Sequence, residues 1–327
     1  MAKKLFIGVD LGGTSIRAGV VDGKGNVLAL EKRKTHPELG VDGVFERLTG
    51  AIERALKAAE LKPKNVAGIG VGVPGPVDPE KGIVRVAVNL GKGWNNMPLA
   101  DRLKDYFGVK AFVNNDVRVG ALGEHRHGAG LGVQDMVAIF VGTGIGGGII
   151  LGGELRGGFR GGAGEVGHTI FDMSNGVLDP AHGQPGAIEP IAARNGMQKA
   201  ILARVAAGEP SIVPQLIEEI GQGRLTSRTI DEALRRKDKV MQDVLAQSQH
   251  ALGVLAGNII NLIDPEAIVI GGGVTERMGD KFVAPIRKVA YAHSVNKTDI
   301  NKVKIVPAAL KDASGVVGAA VLARESV

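Results

Sequence analysis

The chain has 327 residues, 44% apolar and 23% charged, with 50 glycines, 3% aromatics and no cysteine. That length exceeds one comfortable hydrophobic core and predicts two lobes, and the missing cysteines exclude disulfides and thiolate metal sites. The formal charge of +6 is scattered, no apolar run is long enough to cross a bilayer and no cleavable leader is read. A cytoplasmic protein without a nucleic-acid or membrane partner is therefore expected.

Leu5, Ile7 and Val9, then Ile16, Ala18 and Val20, alternate as half-buried strands do. Between them lies Asp10-Leu11-Gly12-Gly13-Thr14. The basic runs Lys32-Arg33-Lys34 and Arg235-Arg236-Lys237 read as exposed turns or helix faces. Over 41–60 the period changes: Val44, Leu48, Ile52, Ala55, Leu56 and Ala59 share one helical face, and Pro63 bars continuation. Residues 66–73 predict a buried strand stopped by Pro74-Gly75-Pro76. A loop over 89–99 leads to a helix through Phe107, and 109–113 is a strand running into Asn114-Asn115-Asp116.

Residues 136–151 repeat the opening hairpin around Gly142-Thr143-Gly144. A glycine-rich loop then reaches Glu165 and His168, followed by helical segments over 188–207 and 211–260. Leu252, Leu255, Ile259 and Leu262 form one apolar face of the latter. Asp264-Pro265 stops that helix, and 267–270 is a buried strand ending in Gly271-Gly272-Gly273. A helix over 282–292, a strand near 303–306 and a small-residue helix over 314–324 complete the chain. Hairpin, helix, strand, helix, strand, twice over, predicts α/β lobes with mixed sheets flanked by helices. An interlobe cleft is the expected place for a small molecule.

Glycine admits positive φ and lets N–H groups approach a ligand. Successive N–H groups in such turns form a concavity for phosphate oxygens, so two matching turns point to a polyphosphate such as ATP. Asp10 is either an Asx-turn residue or a carboxylate holding Mg²⁺ directly or through water. Asn114-Asn115-Asp116 caps the next helix, presents Asp116 to accept an alcohol proton, or does both. Glu165 and His168 are spaced to hydrogen-bond vicinal sugar hydroxyls, with too few ligands nearby for a metal site. Gly271-Gly272-Gly273 is either a plain strand-to-helix turn or a close approach to an adenosine ring.

With these segments in order, the chain resembles the ROK family of sugar kinases, within the actin, heat-shock ATPase and hexokinase superfamily. The resemblance runs end to end, through Asp10-Leu11-Gly12-Gly13-Thr14, Gly75, Asn115-Asp116, Gly142-Thr143-Gly144, Gly164-Glu165-Val166-Gly167-His168 and Gly271-Gly272-Gly273 to Pro307-Ala308-Ala309-Leu310 and Ser314-Gly315. It implies a two-lobed actin/hexokinase-like (ribonuclease H-like) fold, with 1–118 and 310–327 forming a small lobe and 119–309 a large one. It also implies glucokinase-like, ATP-dependent phosphorylation of a hexose, most often at the C6 hydroxyl of glucose. Asp116 is then the general base, and Asn115, Glu165, His168, Glu189, Gly75 and Asn89 form the sugar-binding set. Asp10, Gly12, Gly13, Thr14, Thr143, Gly144 and Gly272 fall to ATP and Mg²⁺, and a homodimer is implied.

Gly186-Ala187-Ile188-Glu189 resembles the end of the family's cysteine-rich zinc segment, but Pro180, His182 and Ala187 stand where cysteines are expected. No structural zinc is therefore expected, and packing over 177–191 takes its place. Rival readings are a kinase for mannose, fructose, N-acetylglucosamine or N-acetylmannosamine, polyphosphate as donor, and a non-catalytic sugar sensor. The family's repressors carry a DNA-binding segment ahead of the kinase-like body. Only residues 1–5 precede the first strand here, which disfavours that reading.

Overall fold

The computed structural model describes residues 4–172 and 185–327. Its elements begin with β1 (Leu5–Leu11), β2 (Ser15–Asp22), β3 (Val27–Lys34), α1 (Gly40–Ala58), β4 (Ile69–Val73), β5 (Val77–Asp78) and β6 (Ile83–Val84). Next come α2 (Leu99–Phe107), β7 (Ala111–Asn115), α3 (Asp116–His127), β8 (Met136–Val141), β9 (Ile145–Leu151) and β10 (Glu154–Arg156). The helices α4 (Glu189–Ala192), α5 (Arg194–Ala206), α6 (Val213–Glu219), α7 (Ser227–Arg235) and α8 (Lys239–Ile263) follow. The chain ends with β11 (Ala267–Gly271), α9 (Gly273–Met278), α10 (Asp280–His293), β12 (Lys304–Pro307) and α11 (Ser314–Ser326).

Two mixed sheets repeat one plan. The first has the order β3-β2-β1-β4-β7 and the second β10-β9-β8-β11-β12. In the first, β1 pairs antiparallel with β2 and parallel with β4; in the second, β11 runs parallel to both β8 and β12. The chain divides into two compact units, Met1–Gly132 with Gly148–Ala163 and Asp312–Val327, and Val133–Gly147 with Gly164–Lys311. The lobe boundary expected at 118 falls inside α3, which lies wholly in the first unit, as does Gly148–Ala163 of the expected large lobe. A side chain at Gly123 would meet Ser314 O at 2.5 Å and one at Gly318 would meet the Val119 carbonyl, so α3 and α11 touch backbone to backbone.

The first unit buries both faces of its sheet. Ile7, Val9 and Ile16 pack with Val44, Leu48 and Ile52 of α1, the helical face expected from the sequence period. On the opposite face, Phe6 and Val21 pack with Val316, Ala320 and Ala323 of α11. Gly8 and Gly70 lie under α11, where a Cβ would strike the carbonyls of Val316 and Ala319. That close approach is why α11 is built of small residues.

Three expectations are corrected. Lys32-Arg33-Lys34 lies neither on a turn nor on a helix but in β3, an edge strand of alternately exposed residues. Basic side chains on an edge discourage pairing with another chain. The helical stretch over 188–207 is broken at Ala193, whose ψ of 158° is extended. Gly196 sits against the Pro190 carbonyl there, so α5 starts afresh rather than continuing α4. Leu262 is 84% exposed, and Ile260 turns inward in its place. Among the described residues no helix is long and apolar enough to cross a membrane.

Candidate active site

In the first unit the predicted residues gather where β1, β4 and β7 end. Asp10, Gly72 and Asn114 align across these three parallel strands. Asp10 also faces Arg17 in the β1–β2 pair. Arg17 donates from Nη1 to Asp10 Oδ2 at 3.3 Å and from Nη2 to Asp312 Oδ1 at 2.8 Å. Burial pushes the Asp10 carboxyl above its ordinary range, with Arg17 pulling the other way. The start of α11 closes over this carboxylate, since a Cβ on Gly315 would lie 3.0 Å from Asp10 Cγ.

The β1–β2 turn is closed by Gly12 N–H donating to Ser15 O at 3.0 Å. Thr35 braces it: its hydroxyl donates to Gly12 O at 2.5 Å and its N–H to Thr14 O at 3.0 Å. In a trans peptide the N–H points opposite to the preceding C=O. With the Gly12 carbonyl turned to Thr35, the Gly13 N–H points away from it. Among the described residues, neither Gly13 nor Thr14 N–H has a protein acceptor. Asn89 lies beside the turn, its carbonyl 2.8 Å from where a Gly13 Cβ would be.

Asn115 and Asp116 divide their work. Asn115 Oδ1 accepts from Val117 N at 3.0 Å and Arg118 N at 3.2 Å, capping α3, while Nδ2 donates to Gly75 O at 3.3 Å. Gly75 has φ +88° and no room for a Cβ beside the Val86 carbonyl, so this contact depends on glycine. Asp116 is then the first helical residue, half-buried, with Oδ1 accepting from Val117 N at 2.9 Å. Cap and carboxylate are adjacent but separate residues.

In the second unit, Gly142 N–H donates to Gly144 O at 2.8 Å to close the β8–β9 turn. The first amides of α5 hold it from behind: Arg194 N donates to Gly142 O at 3.1 Å and Asn195 N to Thr143 O at 3.4 Å. By the same trans-peptide geometry, the N–H groups of Thr143 and Gly144 point away from α5. Among the described residues neither meets a protein acceptor. Two successive free amides in a turn form an anion-binding concavity.

Ile145 ties this turn to the sugar-side candidates. Its N–H donates to Glu189 Oε2 at 2.6 Å, and its carbonyl lies against Gly167. Glu165 is exposed and His168 half-buried at the two ends of the short turn joined by His168 N donating to Glu165 O at 3.1 Å. Gly272 has φ +94° and abuts the Val141 carbonyl at the end of β8. A structural reason for that glycine therefore exists without any ligand. Ala187 is buried and bridges Ile170, while Pro180 and His182 lie outside the described residues.

The structure thus brings Asp10, Gly12, Gly13, Thr14, Gly75, Asn89, Asn115 and Asp116 together in one unit. It collects Thr143, Gly144, Glu165, His168, Glu189 and Gly272 in the other. Sequence reasoning missed Arg17, Thr35 and Arg194. Arg17 follows the first turn by three residues and was open to notice; Thr35 and Arg194 are distant in sequence from the turns they touch.

The chain matches the ROK family over residues 6–326. A glucokinase from Halalkalibacterium halodurans is 30% identical over 327 residues, covering 99% of this chain and 96% of that protein. A putative xylose repressor from a Caldicellulosiruptor species is 32% identical over 318 residues, covering 96% of this chain and 76% of that protein. The crystal structure of a ROK family glucokinase from Streptomyces griseus, in complex with glucose and AMPPNP, aligns with a TM-score of 0.82 at 32% identity. That alignment covers 98% of this chain and 99% of the other.

Proposed function

Because the chain belongs to the ROK family and has its actin/hexokinase-like fold, we propose that it transfers the γ-phosphoryl group of ATP to a hexose hydroxyl, with glucose giving glucose 6-phosphate. The observation that carries this reading is the pair of glycine turns, each with two successive amides that lack an acceptor among the described residues. Phosphate oxygens satisfy such amides well.

Asp116 accepts the proton of the attacking hydroxyl as that oxygen bonds to phosphorus. The bond from phosphorus to the β,γ-bridging oxygen breaks, and ADP leaves. Asn115, Glu165, His168 and Glu189, with Gly75 and Asn89, hold the sugar so that one hydroxyl is oriented for attack. Gly12, Gly13 and Thr14 in one unit and Thr143 and Gly144 in the other bind the phosphates, and Gly272 adjoins the adenosine. Phosphoryl transfer of this kind relies on positioning and charge stabilisation.

Mg²⁺ is usually held by one or two carboxylates, waters and the substrate's phosphates. Asp10 fits that donor set: only Oδ2 is engaged by Arg17, and Oδ1 has no protein hydrogen bond among the described residues. The ion supplies neutralisation of phosphate charge when bound. Among the described residues no group of three or more metal-type side chains exists.

The likeness to a putative xylose repressor favours one other reading, a sugar sensor without turnover. A coupled assay of ADP formation across glucose, mannose, fructose, N-acetylglucosamine and N-acetylmannosamine tests both. Sugar-dependent ADP formation, greatest with glucose, supports the kinase. Sugar binding without turnover supports the sensor. Running the panel with polyphosphate in place of ATP, with sugar phosphate rather than ADP as the readout, identifies the donor.

A further inference from the structure

Arg17 and Arg194 each stand beside one glycine turn, but only one of them has its charge matched. Arg17 lies between Asp10 and Asp312. Arg194 makes no ion pair with any described residue. Its Nη2 reaches Thr143 Oγ1 at 3.4 Å, and its Nε is sealed from solvent without a hydrogen-bond partner among the described residues. A sealed cationic N–H without an acceptor is costly and calls for a compensating group.

The position makes the omission sharper. Arg194 is the first residue of α5, the end where the helix dipole is positive and cations are disfavoured. Ala193 offers no side-chain cap, and the first turn of α5 contains no acidic residue. Burial lowers the readiness of the guanidinium to stay charged, with Glu276 opposing this and Arg224 adding to it. Arg194 is therefore a poor choice for stability alone. Packing against the turn does not require a charge, because the Arg194 and Asn195 backbone amides already make that connection.

An anion seated on the free amides of Thr143 and Gly144 would lie beside the Thr143 side chain that Arg194 Nη2 reaches. It would supply the counter-charge that Arg194 lacks among the described residues and use the planar fork that guanidinium offers to phosphate oxygens. We propose that Arg194 is a phosphate-binding residue that grips the phosphate chain of the donor at the Thr143–Gly144 turn. This assignment rests on the kinase reading for its consequence in catalysis, but on the site's geometry for the binding of a polyphosphate anion.

The test compares wild type, Arg194→Ala and Arg194→Lys as full chains, reading kcat and KM for ATP and for the sugar. Loss of a charge-assisted contact predicts a fall in kcat/KM for ATP of about tenfold or more in Arg194→Ala, with the sugar KM nearly unchanged. Lysine, a point charge without the fork, should restore only part of the loss. Equal ATP kinetics in wild type and Arg194→Ala overturn the proposal. If Arg194→Ala does not fold, Arg194→Gln is judged by the same criteria. Absence of turnover in the wild type would count against the kinase reading alone, and calorimetry with inorganic tripolyphosphate then decides the role of Arg194. Binding weakened by about tenfold or more in the variant supports it; equal binding, or none to the wild type, overturns it.

Discussion

Glu189 Oε2 accepts the amide hydrogen of Ile145 at 2.6 Å, fastening α4 to the first residue of β9. The same carboxylate lies beside Gly144, where a Cβ would come within 2.5 Å of it. A residue assigned to the sugar thus also sets the shape of a phosphate turn. Under the proposed function, sugar contact and donor contact would be mechanically joined through one backbone amide.

Glu189→Ala removes a charged acceptor from an amide of a buried residue. It should cost about 1.5–3 kcal/mol of stability, the usual range for hydrogen bonds to charged groups. Glu189→Gln, which retains an acceptor, should cost less. Denaturant midpoints of the three proteins check the ranking, and an alanine variant as stable as wild type would refute it.

Asp116→Asn should leave sugar affinity nearly intact and lower turnover by about 10²–10⁴-fold, the contribution typical of a general base. Coupled-assay kcat and calorimetric sugar binding are the two readouts. Full activity would remove Asp116 from the base role.

Asn115→Ala removes the cap of α3 and should cost about 0.5–2 kcal/mol. Because Asp116 follows directly, kcat should fall as well. Asn115→Asp should recover the cap, since Asp accepts the same amide hydrogens, but not the Nδ2 donation to Gly75. Thermal melting beside kcat measurements separates the two effects.

Gly272→Ala forces a side chain into a φ of +94° and against the Val141 carbonyl. Backbone strain of this kind costs about 1–3 kcal/mol, with the clash adding to it. The strain falls at the end of β8, so the β8–β9 turn should be disturbed too. A lowered denaturation midpoint together with a raised KM for ATP is expected.

Asp10 makes stability depend on pH in a defined direction. Its carboxyl is raised above the ordinary value, so the folded state holds the proton more tightly than the unfolded chain. That contribution is complete below the unfolded value of 3.8 and is lost as pH rises through the folded one. Asp10→Asn, which cannot titrate, should therefore gain stability relative to wild type as pH rises from about 3.8 through that window. Urea midpoints measured across the window check the slope, and an opposite trend would contradict the assignment.

Local patterns carried much of this molecule. The alternation of Ile7, Val9, Ile16 and Ala18, the turns at Gly12-Gly13-Thr14 and Thr143-Gly144, and the face of α1 are short-range properties of the chain. A side-chain period or a glycine turn is set by residues within a few positions of one another. Even Asn115 as a cap could be foreseen, because its partners are two and three residues away.

Features governed by distant partners stayed hidden. β3 was missed because an edge strand with charged residues on its exposed positions carries little core signal. The break at Ala193 is the exception, since Pro190 and Asn195-Gly196 lie within three residues of it and Gly196 meets the Pro190 carbonyl, a signal local to the chain. Arg194 gains its meaning only from Thr143, 51 residues earlier. Periodicity and turn chemistry act along the chain, whereas charge balance and close packing depend on which remote backbone arrives beside a residue, and folding alone supplies that neighbour.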